Sequence, residues 1–168
     1  MTNTLEFIKL SENATKPERK GINAGFDIFA AETVVLEPQE KTVIKTDIAV
    51  NIPEGYVGLL TSRSSVSSKT HLVIETGKID AGFQGNMGIN IKNDAQLKEL
   101  LGLHVRGING KPLIGEETHV FLNTYKINKG DKLAQLVIVP ILTPELVEVK
   151  EFKVKSDRGT DGFGSTGY

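Results

Sequence analysis

The sequence predicts an all-β fold of the sandwich, jelly-roll or barrel type. Apolar runs rich in β-branched and aromatic residues recur along the chain, and each is too short to form a long helix. Turn-forming segments such as 37–40 and 52–55 separate these runs, and the chain contains 17 glycines. Short strands at this spacing are typical of closed or two-layered β architectures. The predicted strands are residues 33–36, 42–44, 48–50, 56–60, 71–74, 87–91 and 133–139, with one helical turn expected at 66–70.

The length of the chain suits a single domain, and its net charge gives no reason to expect binding to an extended polyanion. A length of 168 residues leaves little room for two domains, and a net charge of −1 gives no field that would attract nucleic acid or an anionic membrane. The lack of cysteine excludes disulfides and thiolate metal sites. No apolar run reaches the ~18 residues that span a bilayer. We therefore expect a soluble protein of the cytoplasm that holds any anionic ligand in a local site.

Two segments depart from the strand pattern. Residues 94–119 are polar and irregular and indicate an insertion at a sheet edge, with a short helix expected at 95–101 and a tight turn at Asn109–Gly110. Residues 156–168 form a glycine-rich tail that follows the domain of residues 1–155. Because ordering each backbone residue costs ~1–2 kcal/mol, this tail is expected to stay mobile until a ligand orders it. A frayed terminus is the alternative interpretation.

The tail contains the parts of a phosphate-binding lid. From Gly164 onward the backbone offers N–H groups, and Ser165 and Thr166 add two hydroxyls. Arg158 supplies a planar fork that matches phosphate oxygens, and Phe163 offers a ring for stacking on a base. A tail with these groups would close over a nucleotide as it binds.

A second glycine-rich segment, residues 77–85, surrounds one carboxylate and one aromatic ring. Asp80 in this segment is either the turn residue of a hairpin or a general base that takes a proton from water. The hairpin backbone would then offer donors and acceptors to the edge of a base. Composition and spacing alone leave both interpretations of Asp80 open.

Three shorter segments contain polar residues suited to an anionic ligand. Arg63 stands beside two hydroxyls and suits phosphate oxygens, although arginine is common on surfaces. Asp27 follows a glycine turn and is either a residue that faces a metal ion or a solvated turn carboxylate. Gln135 lies in an apolar strand, where its amide must find partners or reduce stability. The three histidines show no metal-ligand spacing.

In this order, five segments resemble the five motifs of trimeric dUTPases. Any one motif is weakly specific, whereas five in sequence that end in the glycine-rich tail are highly specific. The resemblance runs from about Ala24 to Gly167, and the polar insertion is similar to that of dUTPases from temperate phages of Gram-positive bacteria. The five segments are 24–28 (AGFDI), 63–66 (RSSV), 77–85 (GKIDAGFQG), 130–135 (GDKLAQ) and 158–167 (RGTDGFGSTG).

The resemblance implies a jelly-roll-like fold of the β-clip type and a homotrimer that hydrolyses dUTP to dUMP and pyrophosphate with Mg²⁺. In this family the first, second and fourth motifs of one subunit meet the third motif of another, and the tail of the third subunit closes over them. By the same resemblance, Asp80 deprotonates the attacking water and Asp27 contacts Mg²⁺ through water. The expected substrate-binding residues are Arg63, Ser64, Ser65, Gly77, Lys78, Ile79, Phe83, Gln135, Arg158, Phe163, Gly164, Ser165 and Thr166.

Two positions differ from the family pattern, and two other functions are compatible with it. Ser65 stands where the second motif has glycine, and Phe83 stands where the third motif has tyrosine.

The same fold occurs in dCTP deaminases, which is the alternative enzymatic interpretation. Phage dUTPases of this type also bind repressors of mobile genetic islands. Such a repressor is a candidate partner, with residues 94–119 or the mouth of the active site as the contact surface.

Overall fold

The computed structural model describes residues 4–97, 101–157 and 159–160, of which 101–103 and 114–120 are described by backbone only. In this part of the chain thirteen strands and one four-residue helix form the fold, which confirms the predicted all-β class. No helix in these ranges is long and apolar enough to cross a membrane. The strands are β1 Glu6–Lys9, β2 Gly25–Phe29, β3 Val34–Leu36, β4 Lys41–Lys45, β5 Ile48–Asn51, β6 Tyr56–Ser62, β7 Leu72–Ile74, β8 Gly77–Ile79, β9 Gly88–Asn93, β10 Leu101–Arg106, β11 Pro112–Phe121, β12 Tyr125–Ile127 and β13 Lys132–Pro140, and the helix is α1 Ser64–Ser67.

All seven predicted strands are present, as β3 to β7, β9 and β13, and the helical turn starts two residues before the predicted position. The six strands that the pattern did not predict are short or lie in polar or glycine-containing segments. β2 is the clearest case, because it starts on Gly25, where a turn was expected. Strands of this kind form because a neighbouring strand offers backbone partners and a surface to pack on, which local sequence does not reveal.

A four-stranded antiparallel sheet has the strand order β2-β13-β6-β8 and is called the central sheet below. Its strands are far apart in sequence, since β13 inserts between β2 and β6. Gly58 in β6 marks the tightest packing in this sheet, because a Cβ there would lie 2.9 Å from Leu136 Cδ1 and 3.1 Å from Ile52 Cδ1. The register of these strands is therefore fixed by close packing as well as by backbone hydrogen bonds.

One hydrophobic core joins this sheet to its two neighbours, the sheet β4-β9-β7 and the sheet β11-β10-β12-β3. Each strand of β4-β9-β7 alternates one buried and one more exposed residue, the pattern of a sheet with one face on a core. β1 pairs only with β5 among the described strands and exposes all four of its residues. The largest fully buried side chains are Ile28, Ile44, Ile48, Ile52, Leu60, Leu72, Met87, Ile89, Ile91, Tyr125, Ile127 and Leu133.

The polar segment 94–119 contains most of an antiparallel hairpin, formed by β10 and β11, and residues 98–100 of the helix expected at 95–101 lie outside the described part of the chain. Residues 95–97 have no regular structure and β10 begins at Leu101. The backbone of Ala95 bonds instead to side chains of the sheet, since its N–H donates to Asn93 Oδ1 (3.2 Å) and its carbonyl accepts Gln39 Nε2 (2.8 Å). The tight turn at Asn109–Gly110 is confirmed, with Gly110 at a φ of 76°.

Asn93 is a buried polar link between sheets and gives the first testable prediction. Its amide is fully buried, donates to the carbonyls of Leu36 (3.1 Å) and Asn123 (2.9 Å), and accepts the N–H of Ala95. Asn93→Ala leaves these backbone groups without their partners, so we expect the free energy of unfolding to fall by about 3 kcal/mol.

Chemical denaturation monitored by circular dichroism measures this change. Asn13→Ala is the matched control because Asn13 is exposed, and its effect should stay within about 0.5 kcal/mol. Equal losses for the two variants would contradict the role assigned to Asn93.

Candidate active site

The central sheet brings the first, second and fourth motifs together. Gln135 of β13 pairs with Asp27 of β2 on one side and with Thr61 of β6 on the other. Arg63 follows directly after β6, and its N–H donates to the carbonyl of Leu133 (3.2 Å). Three segments that are far apart in the sequence therefore meet at one end of three adjacent strands.

The carboxylate of Asp27 is the centre of this group. Its Oδ1 lies 3.0 Å from Arg63 Nε and accepts a hydrogen bond of 3.2 Å from Gln135 Nε2. Its Oδ2 lies 3.3 Å from Lys132 Nζ. The Asp27 side chain is 14% exposed and that of Arg63 is 28% exposed, so the pair is only partly screened by water. A half-buried carboxylate thus fixes the orientation of a guanidinium, an amide and an ammonium group.

Opposing effects set the charge of Asp27. Burial alone would raise its pKa, but hydrogen bonds from Gln135 and Lys132, together with the positive charges of Arg63 and Lys132, outweigh burial and hold the pKa of Asp27 below its ordinary value. Asp27 is therefore ionised at neutral pH and acts as an acceptor for these donors.

Lys132 is a member of this group that the sequence did not single out. Its Nζ contacts Glu18 Oε2 (2.8 Å) as well as Asp27, and the hydrogen bond to Glu18 raises the pKa of Lys132. Lys132 and Gln135 are three positions apart, which would place them on opposite faces of a regular strand. A bulge between Lys132 and Ala134 shifts the register and puts both side chains beside Asp27.

The second motif forms the start of α1. Val66 is buried, while Arg63, Ser64 and Ser65 lie at the surface or half-buried and can reach a ligand. Ser65 lies within the helix and is not among the described residues with positive φ. The backbone at this position can therefore accept serine in place of the glycine of the family pattern.

The third motif lies at the opposite end of the sheet. β8 pairs with β6 so that Gly77 faces Leu60 and Ile79 faces Gly58, and Asp80 follows Ile79. Arg63 follows β6 five positions after Gly58, which corresponds to roughly 17 Å at ~3.3 Å per residue. Within one chain, the backbones of Asp80 and Arg63 therefore lie toward opposite ends of the sheet.

The loop after β8 exposes the candidate catalytic residues of the third motif. The N–H of Phe83 donates to the carbonyl of Asp80 (3.1 Å), and Gly82 has a φ of 85° that completes the turn. The ring of Phe83 is 45% exposed and lies over Gly85, where a Cβ would come within 2.7 Å of the ring. The side chain of Ile79 is buried, so only its backbone is available to a ligand.

Several predicted site residues lie outside the described part of the chain, namely Arg158, Phe163, Gly164, Ser165 and Thr166. The segment before them, residues 141–154, exposes most of its apolar side chains. Among the described residues no group of three or more histidine or carboxylate side chains could hold a metal ion. Because Mg²⁺ sheds its hydration shell reluctantly, a single carboxylate such as that of Asp27 would reach the ion only through water.

Comparisons with known proteins show the family to which the chain belongs. The dUTPase family model matches residues 12–98 and 102–167. The deoxyuridine 5'-triphosphate nucleotidohydrolase of Mus musculus is 33% identical over 165 residues, which cover 98% of this chain and 85% of the mouse protein.

Solved structures of phage proteins resemble the chain more closely. The dUTPase of Staphylococcus bacteriophage 80alpha with dUpNHpp is 62% identical with a TM-score of 0.95, covering 99% of this chain and 100% of that one. A point mutant of the dUTPase from phage phi11 of S. aureus, described for its coordination of a structural Mg(II) ion, is 64% identical with a TM-score of 0.86, covering 90% of this chain and 100% of that one. Since the family model matches the chain from residue 12 to residue 167 except for residues 99–101, and the similarity to relatives extends over nearly the whole length, the chain belongs to the dUTPase family.

Proposed function

We propose that the chain acts as a homotrimeric dUTP diphosphatase that converts dUTP to dUMP and pyrophosphate with Mg²⁺, with each active site shared between subunits. The reaction would keep uracil out of DNA and supply dUMP for thymidylate synthesis in the cytoplasm of the bacterial host cell. The observation that carries the proposal is the separation of Asp80 from the group formed by Asp27, Arg63 and Gln135. In this proposal a second subunit supplies Asp80, so that both parts of the site act on one nucleotide.

Exposed apolar surface supports association of several copies. Leu142, Leu146, Phe152 and Val154 are each more than 80% exposed, an unfavourable state for a segment that stays in water. A cavity of about 300 Å³ also opens beside the edge strand β1, lined by Phe7, Ile8 and residues of β5. Burying the 141–154 segment on another copy in a closed ring would remove apolar surface from water in every subunit at once.

In this proposal Arg63, Ser64, Ser65 and Gln135 bind phosphate oxygens and the catalytic water. Asp27 holds Arg63 and Gln135 in place by the contacts described above. These groups would then need no reorganisation when charge develops on the phosphates.

The third and fifth motifs would complete the site. The backbone of Gly77, Lys78 and Ile79 reads the edge of uracil, and Phe83 packs on the deoxyribose. Arg158, Gly164, Ser165 and Thr166 of the tail hold the γ-phosphate, while Phe163 stacks on the base.

Asp80 would take a proton from the water that attacks the α-phosphorus, and pyrophosphate leaves on the opposite side. Asp80 is exposed, so water and ligand can reach its carboxylate. When bound, Mg²⁺ would neutralise phosphate charge, and Asp27 would contact it through water. The protein contributes mainly position and preorganised charge, which phosphoryl chemistry requires more than covalent help.

A regulatory role is a second proposed function, and the hairpin β10–β11 favours it. The hairpin forms the edge of its sheet, with β10 next to β12, and its turn is anchored by Arg106, which donates to the carbonyl of Gly110 (2.8 Å). The phage 80alpha dUTPases, 62% identical to this chain, are reported to control transfer of virulence genes. We propose that this hairpin, or the mouth of the active site, binds a repressor protein of a mobile genetic island.

Asp80→Asn tests the proposed base. The variant should bind dUTP with little change, because asparagine keeps the shape of the side chain, and kcat should fall by about a hundredfold or more because proton removal is lost. Release of pyrophosphate from dUTP measures kcat, and Glu54→Gln is the control, since Glu54 is an exposed carboxylate in a turn. The same assay with dTTP, dCTP and UTP, together with ammonia release from dCTP, separates the diphosphatase from a dCTP deaminase. A parental rate in Asp80→Asn would show that Asp80 is not the base.

Subunit mixing tests the shared site directly. Asp80→Asn and Arg63→Ala subunits should each be nearly inactive alone. In random trimers formed by co-expression in equal amounts, about a quarter of the sites would combine an intact Arg63 with an intact Asp80 from different subunits. We expect about a quarter of the parental activity for this reason. Trimers that form, as judged by solution mass, but recover no activity would mean that both residues act within one subunit.

Deletion of residues 156–168 tests the tail as a lid. The core contacts of the domain lie before residue 141, so the truncated chain should keep its fold and its solution mass. Loss of the predicted phosphate and stacking contacts should lower kcat by about a hundredfold. An unchanged kcat would refute the lid role.

Binding of a candidate repressor tests the regulatory proposal. The trimer should retain the repressor in a pull-down, and a variant with residues 101–121 replaced by a short glycine-serine linker should retain less while still hydrolysing dUTP. Adding dUTP separates the two candidate surfaces, since competition indicates the active-site mouth. Failure of the parental trimer to bind would remove this function without affecting the enzymatic proposal.

A further inference from the structure

The loop that carries Asp80 is held at both of its ends by residues that lie outside the five motifs. At its start, β8 pairs with β6 through three residues, the last of them Ile79 opposite Gly58. At its end, Asn86 and Met87 lie between Gly85, the last residue of the third motif, and the start of β9. These two residues contact the turn between β4 and β5.

The contacts at the end of the loop are reciprocal. The N–H of Asp47 donates to Asn86 Oδ1 (2.9 Å), and Asn86 Nδ2 donates to Asp47 Oδ1 (2.7 Å). The other carboxylate oxygen of Asp47 accepts Ser11 Oγ (2.5 Å). Beside this pair, Met87 donates its N–H to the carbonyl of Ile48 (2.9 Å).

Asp47 has a backbone conformation that favours this contact. Its φ is 52°, in the left-handed region, where aspartate and asparagine are tolerated better than most residues. Hydrogen bonds from Ser11 and then from Asn86 lower the pKa of Asp47, so the carboxyl remains an acceptor at neutral pH. Fully buried Thr46 adds a hydrogen bond of 2.8 Å to the carbonyl of Met87.

We propose that Asp47 and Asn86 are positioning residues that fix the loop of the third motif and thereby set where Asp80 stands in the active site. The inference rests on the proposed role of Asp80 as the base. A loop of six residues with Gly82 and Gly85 has little rigidity of its own, since glycine restricts the backbone least. Displacement of a base by about 1 Å is enough to lower turnover strongly.

The carboxylate of Asp47 offers a matched pair of variants. Asn86→Ala removes the contacts that reach the loop, while Ser11→Ala removes a contact to the same carboxylate that does not reach it. We expect Asn86→Ala to lower kcat by about tenfold to a hundredfold, with a smaller effect on KM, and Ser11→Ala to change kcat by less than about twofold. Thermal unfolding and solution mass should show that both variants keep the parental fold and assembly.

Rescue by exchange distinguishes positioning from general stability. In Asn86→Asp alone two carboxylates face each other, so this is the single variant that the exchange should rescue, whereas in Asp47→Asn alone the new amide can accept from Asn86 and donate to the Ser11 hydroxyl. Combining Asp47→Asn with Asn86→Asp restores all three hydrogen bonds, because the amide at position 47 can donate to the carboxylate at position 86 and still accept from Ser11. We expect kcat to recover in the double variant.

Hydrogen exchange supplies a readout that does not depend on activity. Peptides covering residues 80–87 should exchange faster in Asn86→Ala than in the parent and in Ser11→Ala. Equal kcat losses in Asn86→Ala and Ser11→Ala, or unchanged exchange in Asn86→Ala, would overturn the inference. A parental protein without dUTP hydrolysis would instead overturn the proposed function, while the exchange data would still decide whether the loop is clamped.

Discussion

The register of three antiparallel strands around Asp27 is the constraint on which the rest of the site depends. Asp27, Gln135 and Thr61 are opposite one another in β2, β13 and β6, and Arg63 follows the last of these strands. A slip of one residue would turn the Gln135 side chain to the other face of the sheet. The buried neighbours Leu133, Ala134 and Leu136 oppose such a slip because it would bring polar groups into the core. The hydrophobic core thereby fixes the relative position of polar groups that are distant in sequence.

Sequence analysis predicted the fold class and the segments of the site, but not how the strands combine them. The apolar runs at 42–44 and 133–139 identify β4 and β13 because their patterns are strong. β2 and β8 were not predicted, since each has a glycine at its start and a polar residue within its short length. The role of Lys132 was missed for a different reason. Only a bulge in β13 places it on the side of Gln135, and a bulge is a property of strand pairing that regular alternation does not predict.

The same sheet that assembles the first, second and fourth motifs separates the third motif from them. β6 carries Arg63 at one end and pairs with β8, and therefore with the start of the Asp80 loop, near the other. A single chain thus presents the two parts of the site toward different ends of the sheet. In the proposed function this arrangement makes activity depend on assembly, and burial of the exposed apolar side chains of residues 141–154 would favour assembly. Formation of the proposed trimer would both complete the active site and bury the exposed apolar surface.

The structure explains one of the two departures from the family pattern. Ser65 lies in the first turn of α1, where a helical backbone accepts serine with little penalty, so glycine is not required for conformation. The Phe83 ring lies over Gly85 with its Cζ and Cε2 atoms nearest. Cζ is the atom that bears the hydroxyl in tyrosine, and nothing in the structure explains why phenylalanine stands at this position. A Cβ on Gly85 would come within 2.7 Å of the ring and displace it, and Gly82 has a φ of 85°, a backbone conformation that favours glycine. Conformation in the third motif therefore depends on these two glycines.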